Sequence, residues 1–160
     1  MQRFPVALLA AAMMMFAAGP AVAAPVPKTT TWEELAPEPE KSIEDPLAED
    51  DREGMIEFTR RFGDRIQIIG DDYLVTSPQL TADAVRDGAA NAVLIKVNQI
   101  GTVTEAVRCF ELARDAGFGT VVSARSGETE DVSISHLAVG LGGGQLKVGS
   151  FQRSERMVKW

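Results

Sequence analysis

Residues 92–105 read AVLIKVNQIGTVTE, and the fold turns on how this stretch is parsed. Four apolar residues, Ala92 to Ile95, run into Lys96, which is the length and character of a strand buried on both faces. A helical pattern follows over 102–116, where Val103, Ala106, Val107, Phe110 and Ala113 recur at three-and-four spacing and give one apolar face. Gly117 stands where that helix must stop. A second apolar run, 119–123 (GTVVS), comes next. Strand, helix, strand at this spacing predicts parallel strands joined by a right-handed crossover.

The unit repeats in both directions. Strands are predicted at 42–44, 66–70, 92–96, 119–123 and 145–147. Helices are predicted near 48–62, 79–89, 102–116 and 130–141, with a stub at 154–160. The expected fold class is α/β: a partial TIM-type (β/α) barrel of about five parallel strands with helices. Each predicted strand ends in a polar side chain or, at 66–70, is followed directly by one. Glu44, Asp71, Lys96, Ser123 and Lys147 are separated by steps of 27, 25, 27 and 24 residues. In such a barrel all the carboxyl ends of the strands open on one mouth, so these groups should converge.

The residue types at those ends point to a chemistry. Two carboxylates, Glu44 and Asp71, suit a hard, oxygen-seeking cation such as Mg²⁺. Arg125 and Ser126, just past Ser123, suit a phosphate or carboxylate. A lysine near a metal loses proton affinity and becomes a proton acceptor. Each residue taken singly could equally mark where a strand leaves the core. Five in register favour a shared site.

Charge and composition narrow the classes. The 160 residues carry 16 basic and 23 acidic side chains, a net charge of −7. Residues 28–53 contain ten acids and three bases, which accounts for the whole excess. A nucleic-acid partner is not expected, because phosphate neutralisation needs a basic face. The one cysteine, Cys109, permits no internal disulfide and is expected to fill a core gap. The one histidine, His136, rules out a site with two His ligands and is expected at the surface or an interface, not as a ligand.

The amino-terminal residues read differently. Arg3 precedes an uncharged apolar run from Phe4 to Ala18; Gly19-Pro20 breaks it, and Ala21-Val22-Ala23 supplies small residues. Residues 1–24 are therefore expected to be a cleaved signal peptide, making the protein exported, periplasmic or secreted. Residues 25–41 read as an acidic, Pro-rich linker, and 42–160 as the folded domain. The glycines at 140 and 142–144 precede a strand rather than follow one, so they read as a helix stop and turn, not a phosphate loop.

The wording of 42–160 is similar to the enolase (phosphopyruvate hydratase) family. Residues 42–51, SIEDPLAEDD, resemble its SIEDPFAEDD segment. Residues 69–72, IGDD, resemble its GDD segment, and residues 94–105, LIKVNQIGTVTE, resemble LLKVNQIGSVTE. Residues 126–131 (SGETED), 144–149 (GQLKVG) and 153–156 (RSER) follow in the family's order. The resemblance implies the carboxyl-terminal part of the enolase barrel. It implies a lyase of glycolysis that reversibly dehydrates 2-phosphoglycerate to phosphoenolpyruvate with Mg²⁺. Glu44 and Asp71 then match metal ligands and Lys96 the base. Ser123, Arg125, Ser126 and Lys147 match substrate contacts.

Several expectations follow from departures. Ala124 stands where the family has a histidine before the Arg-Ser pair, so a polar contact is lost. The domain reads as truncated, lacking the first strands and the amino-terminal domain. Five strands cannot close a cylinder, which leaves open edges and bare inner faces. The monomer should be marginal, or a second copy should cover the edges. Two ligands should hold Mg²⁺ weakly, and turnover by this chain alone should be very slow or absent. The alternative is an exported, non-catalytic binding module of enolase descent, or a gene fragment.

Overall fold

A computed structural model describes residues 42–160; the expected signal peptide and linker lie outside the described residues. Five strands alternate with helices: β1 (Ser42–Glu44), α1 (Arg52–Phe62), β2 (Gln67–Gly70), α2 (Pro78–Asp87), β3 (Ala92–Lys96), α3 (Val97–Ile100), α4 (Val103–Asp115), β4 (Gly119–Ser123), α5 (Ser133–Gly140), β5 (Gln145–Lys147) and α6 (Ser154–Met157). The sheet order follows chain order, and every neighbouring pair is parallel. The expected α/β half-barrel of five strands is what is found.

Local chemistry sets the boundaries. The sequence predicted the first helix from residue 48, but it begins at Arg52, because the Asp51 carboxylate caps it by accepting from Gly54 N at 2.8 Å. Ser77 accepts from Leu80 N ahead of Pro78 and starts α2; Gly88, at φ +67°, ends it. Thr102 caps α4 by accepting from Glu105 N, while its hydroxyl donates to the Glu105 carboxylate. α3 was not predicted as a helix. The buried face of α4 is also shifted: Val103 is half exposed, and Cys109 joins Ala106, Phe110 and Ala113 inside.

Alternation along the strands divides the interior. Ile68, Val93 and Ile95 face the helices and join Met55, Leu74, Cys109 and Phe110 in the main core. Ile69, Ala92, Leu94 and Val121 point the other way and form a cluster of their own. The inner face, expected to be bare, is thus buried along these central strands. The second set has the parity of Asp71, Lys96 and Ser123, each two residues further along its chain from a member of the cluster. Polar mouth and apolar floor are therefore successive layers of one face. At the opposite end of the strands, Asn91 accepts from Ile68 N and donates to Gly63 O and Ile66 O, tying β2, the end of α1 and the start of β3 together.

Candidate active site

Each strand delivers its polar residue to the mouth. The β3–β4 ladder pairs Lys96 with Ser123, and the β4–β5 ladder pairs Ser123 with Lys147. Glu44 pairs with Ile69, which places Asp71 just beyond it. Lys96 Nζ donates to both oxygens of Asp71, at 2.7 and 2.5 Å. Both residues are buried. Lys147 Nζ donates to Glu44 from the opposite edge of the sheet. Arg125 lies 3.6 Å from the Asp72 carboxylate.

A cavity of about 540 Å³ opens here, lined among others by Asp71, Lys96, Ser123, Arg125, Ser126 and Lys147. Glu44 does not line it, but its carboxyl meets Asp71 and Lys147 beside it. The seven residues named from the sequence are therefore brought together. Ala124 also lines the wall and presents only a methyl group. Arg153 and Arg156 add to the lining, so cations outnumber carboxylates around this space in a chain of net charge −7.

Opposing forces act on Asp71. Burial alone would push its carboxyl up. The hydrogen bond and charge of Lys96, then the Glu44 hydrogen bond and the charge of Lys147, outweigh burial and hold it below the usual carboxylate range. The ionised form is thus kept where a cation would need it. Magnesium is commonly held by one or two carboxylates plus water, so the Glu44–Asp71 pair fits it by donor type. Among the described residues no group of three or more His, Cys, Asp or Glu converges as a ready-made metal cage.

Supporting residues were not named by the sequence reading. Asp45, at φ +40°, accepts from Asp71 N at 2.9 Å and Asp72 N at 2.7 Å, and so fixes the turn that presents Asp71. Asn98 accepts from Arg125 N and donates to Glu128; Gln99 donates to Asp72. Arg156 donates to Ser126 O, and Lys159 to Thr129 O and Glu155 O. Asn98 and Gln99 lie in the quoted motif, but their partners are 27 to 30 residues away. Only a fold shows such a contact.

Residues 27–160 match the family described as "Enolase, C-terminal TIM barrel domain". The chain belongs to this enolase family. Over 119 residues it is 55% identical to the enolase of Neorickettsia sennetsu, an alignment covering 74% of this chain and 29% of that relative. Against the enolase of Mycobacteroides abscessus it is 52% identical over 119 residues, 74% of this chain and 28% of that one. The chain thus spans under a third of the length of these curated enolases.

Proposed function

We propose that the mouth of this enolase-type half-barrel binds 2-phosphoglycerate and phosphoenolpyruvate, and that Lys96 is the proton acceptor in their interconversion. The observation that supports this best is the placement of Lys96, buried and aimed into a cavity whose rim carries Arg125, Ser126 and Lys147. Lys96 Nζ, as the neutral amine after giving up one of its own hydrogens, would take the proton from the carbon beside the substrate carboxylate. Arg125 and Ser126 would hold the phosphate, and Lys147 the carboxylate end. Ser123, buried at the end of β4, would line the space between them. Glu44 and Asp71 would hold Mg²⁺, which supplies the positive charge that stabilises the anion left by proton removal.

One observation favours a second reading, that of an exported non-catalytic binding module. Ala124 offers no proton or hydrogen bond where the resembling segments carry histidine. A single measurement separates the readings. The full chain is incubated with 2-phosphoglycerate and Mg²⁺, and enol-phosphate absorbance is followed. Slow turnover that Lys96→Ala abolishes supports the lyase. Absence of turnover at high protein concentration, with retained binding of phosphoenolpyruvate, supports the module.

Two further proposals accompany this reading. β1 and β5 are three-residue strands at the sheet edges, and a second copy would cover them. Light scattering across a dilution series tests that. Export, proposed from residues 1–24, is tested by comparing the amino terminus of the protein in the cell and outside the inner membrane.

A further inference from the structure

We propose that Thr76 is a positioning residue for Lys96, its hydroxyl replacing a rung of the sheet where β2 has left the ladder. The β2–β3 ladder contains only Ile69 with Ala92 and Gly70 with Val93. Beyond it, Leu94, Ile95 and Lys96 still pair with Val121, Val122 and Ser123 of β4, but have no strand on the β2 side. In a parallel ladder, a strand residue opposite Ile95 would donate to Leu94 O and accept from Lys96 N. Thr76 Oγ1 does both: it lies 3.0 Å from Leu94 O, and Lys96 N donates to it at 2.9 Å. One fully buried hydroxyl thus takes over the duties of an entire backbone unit.

The surrounding chain is shaped to put it there. At Gly70 an added Cβ would fall 2.5 Å from Leu74, so the residue after β2 can fold back tightly only with glycine at that point. Val75 and Thr76 both adopt positive φ, +44° and +58°, a conformation that β-branched residues seldom accept. Such strain persists where the surroundings over-determine it. Gln99 Oε1 lies 3.0 Å from the same hydroxyl, whose one hydrogen is therefore shared between Leu94 O and Gln99 Oε1. The Gln99 amide orientation follows from its other partners, because the Nε2 end faces the carboxylates of Asp71 and Asp72. Leaving the ladder frees Asp71 to turn toward Lys96; Thr76 keeps the end of β3 from fraying once β2 is gone. A strand end held from the β4 side alone would otherwise let the lysine swing, and small misplacements of a reacting group are costly.

This inference rests on the reading of Lys96 as proton acceptor, so two readouts are needed. The first is amide hydrogen exchange of the full chain by NMR. The Lys96 amide is expected to be protected in the parent and in Thr76→Ser, which keeps the hydroxyl, and unprotected in a folded Thr76→Val. A Lys96 amide that exchanges freely in the parent overturns the proposal without any variant. The second is turnover: Thr76→Val is expected to lower kcat about a hundredfold with KM nearly unchanged, and Thr76→Ser to restore it. Equal kcat in a folded Thr76→Val overturns the positioning role. If the parent shows no turnover, the enzymatic reading fails, and the exchange measurement still decides whether Thr76 holds Lys96.

Discussion

Lys147, on the last strand, donates its ammonium to Glu44, on the first. In a flat sheet of five strands these two edges would lie about 19 Å apart, at roughly 4.8 Å per strand. A lysine and a glutamate side chain cannot together span that distance, so the contact requires the sheet to curl. The ion pair is a measure of the half-barrel's curvature at its mouth. It also joins a residue expected to bind metal with one expected to bind substrate.

The stability contributed by that pair should nonetheless be small. The Lys147 side chain is 49% exposed, and solvent screens such pairs. Lys147→Met is expected to lower the unfolding free energy by less than about 1 kcal/mol in urea titration. Its effect on phosphoenolpyruvate affinity, read by calorimetry, should be the larger one. A stability loss several times that size, with unchanged affinity, would make Lys147 a structural residue only.

The Lys96–Asp71 pair should behave in the opposite way. Both side chains are about nine-tenths buried, and removing one partner strands the other. Asp71→Asn is expected to cost about 3 kcal/mol at neutral pH. The folded carboxyl is held below its ordinary value of 3.8, so its contribution is complete above that value. It is lost as the pH falls through the lower folded value. The gap between parent and Asp71→Asn should therefore be widest at neutral pH and shrink in acid. A gap that grows on acidification would contradict the sign. Mg²⁺ should raise the melting temperature of the parent and not of Asp71→Asn.

The strand ends Glu44, Lys96, Ser123 and Lys147 were placed correctly, because short apolar runs stopping at a polar residue are a local signal. The α1 start was not, since Leu47 to Asp50 carry helix-like composition and only the Asp51 cap shows where helical geometry begins. Val103 was misjudged because Thr102 caps the helix and leaves the first turn facing solvent. Asn98 and Gln99 stand inside a quoted motif and Thr76 outside every one, and their partners sit 18 to 30 residues off. No periodicity records such pairings.

Cys109 should be chemically silent in the folded chain. It is fully buried in the main core and contacts Thr81 Oγ1 at 3.3 Å. Burial pushes the thiol up and outweighs the opposing hydrogen bond with Thr81, so the reactive thiolate is suppressed. An aromatic disulfide reagent at pH about 8, just below the ordinary thiol value, is expected to titrate no thiol until denaturant is added. Rapid reaction in native buffer would mean that α4 opens locally.

Lys159 should matter more than its distance from the mouth implies. Its side chain is completely buried, pairs with Glu128 at 3.0 Å and donates to Thr129 O and Glu155 O. Glu128 in turn accepts from Asn98, whose carbonyl holds Arg125 N. Lys159→Met leaves the Glu128 carboxylate without its cation and frees the segment that carries Arg125 and Ser126. The expected cost is about 3 kcal/mol, with new protease cleavage within residues 124–131. Adding Glu128→Gln should recover part of the loss, because the stranded charge is then removed. Full additivity of the two changes would show that they do not act through each other.

Ala124 offers the most direct test of what the cavity lacks. It sits between buried Ser123 and exposed Arg125, lines the mouth, and packs beside Val122 and Val148. A histidine there could reach into the cavity toward an anion bound by Arg125 and Ser126. A hydrogen bond to a charged group contributes about 1.5–3 kcal/mol, so Ala124→His is expected to tighten phosphoenolpyruvate binding by roughly tenfold to a hundredfold. Its imidazole is bulkier than the methyl it replaces, and crowding against Val148 should cost about 1–3 kcal/mol of stability. Calorimetry with phosphoenolpyruvate and urea unfolding on the same sample separate the two effects. Tighter binding despite lower stability would show that the methyl at 124 limits recognition. Unchanged affinity in a folded variant would show that the anion is held from the other side of the mouth, by Lys147 and Arg153, and that the identity of residue 124 does not control it.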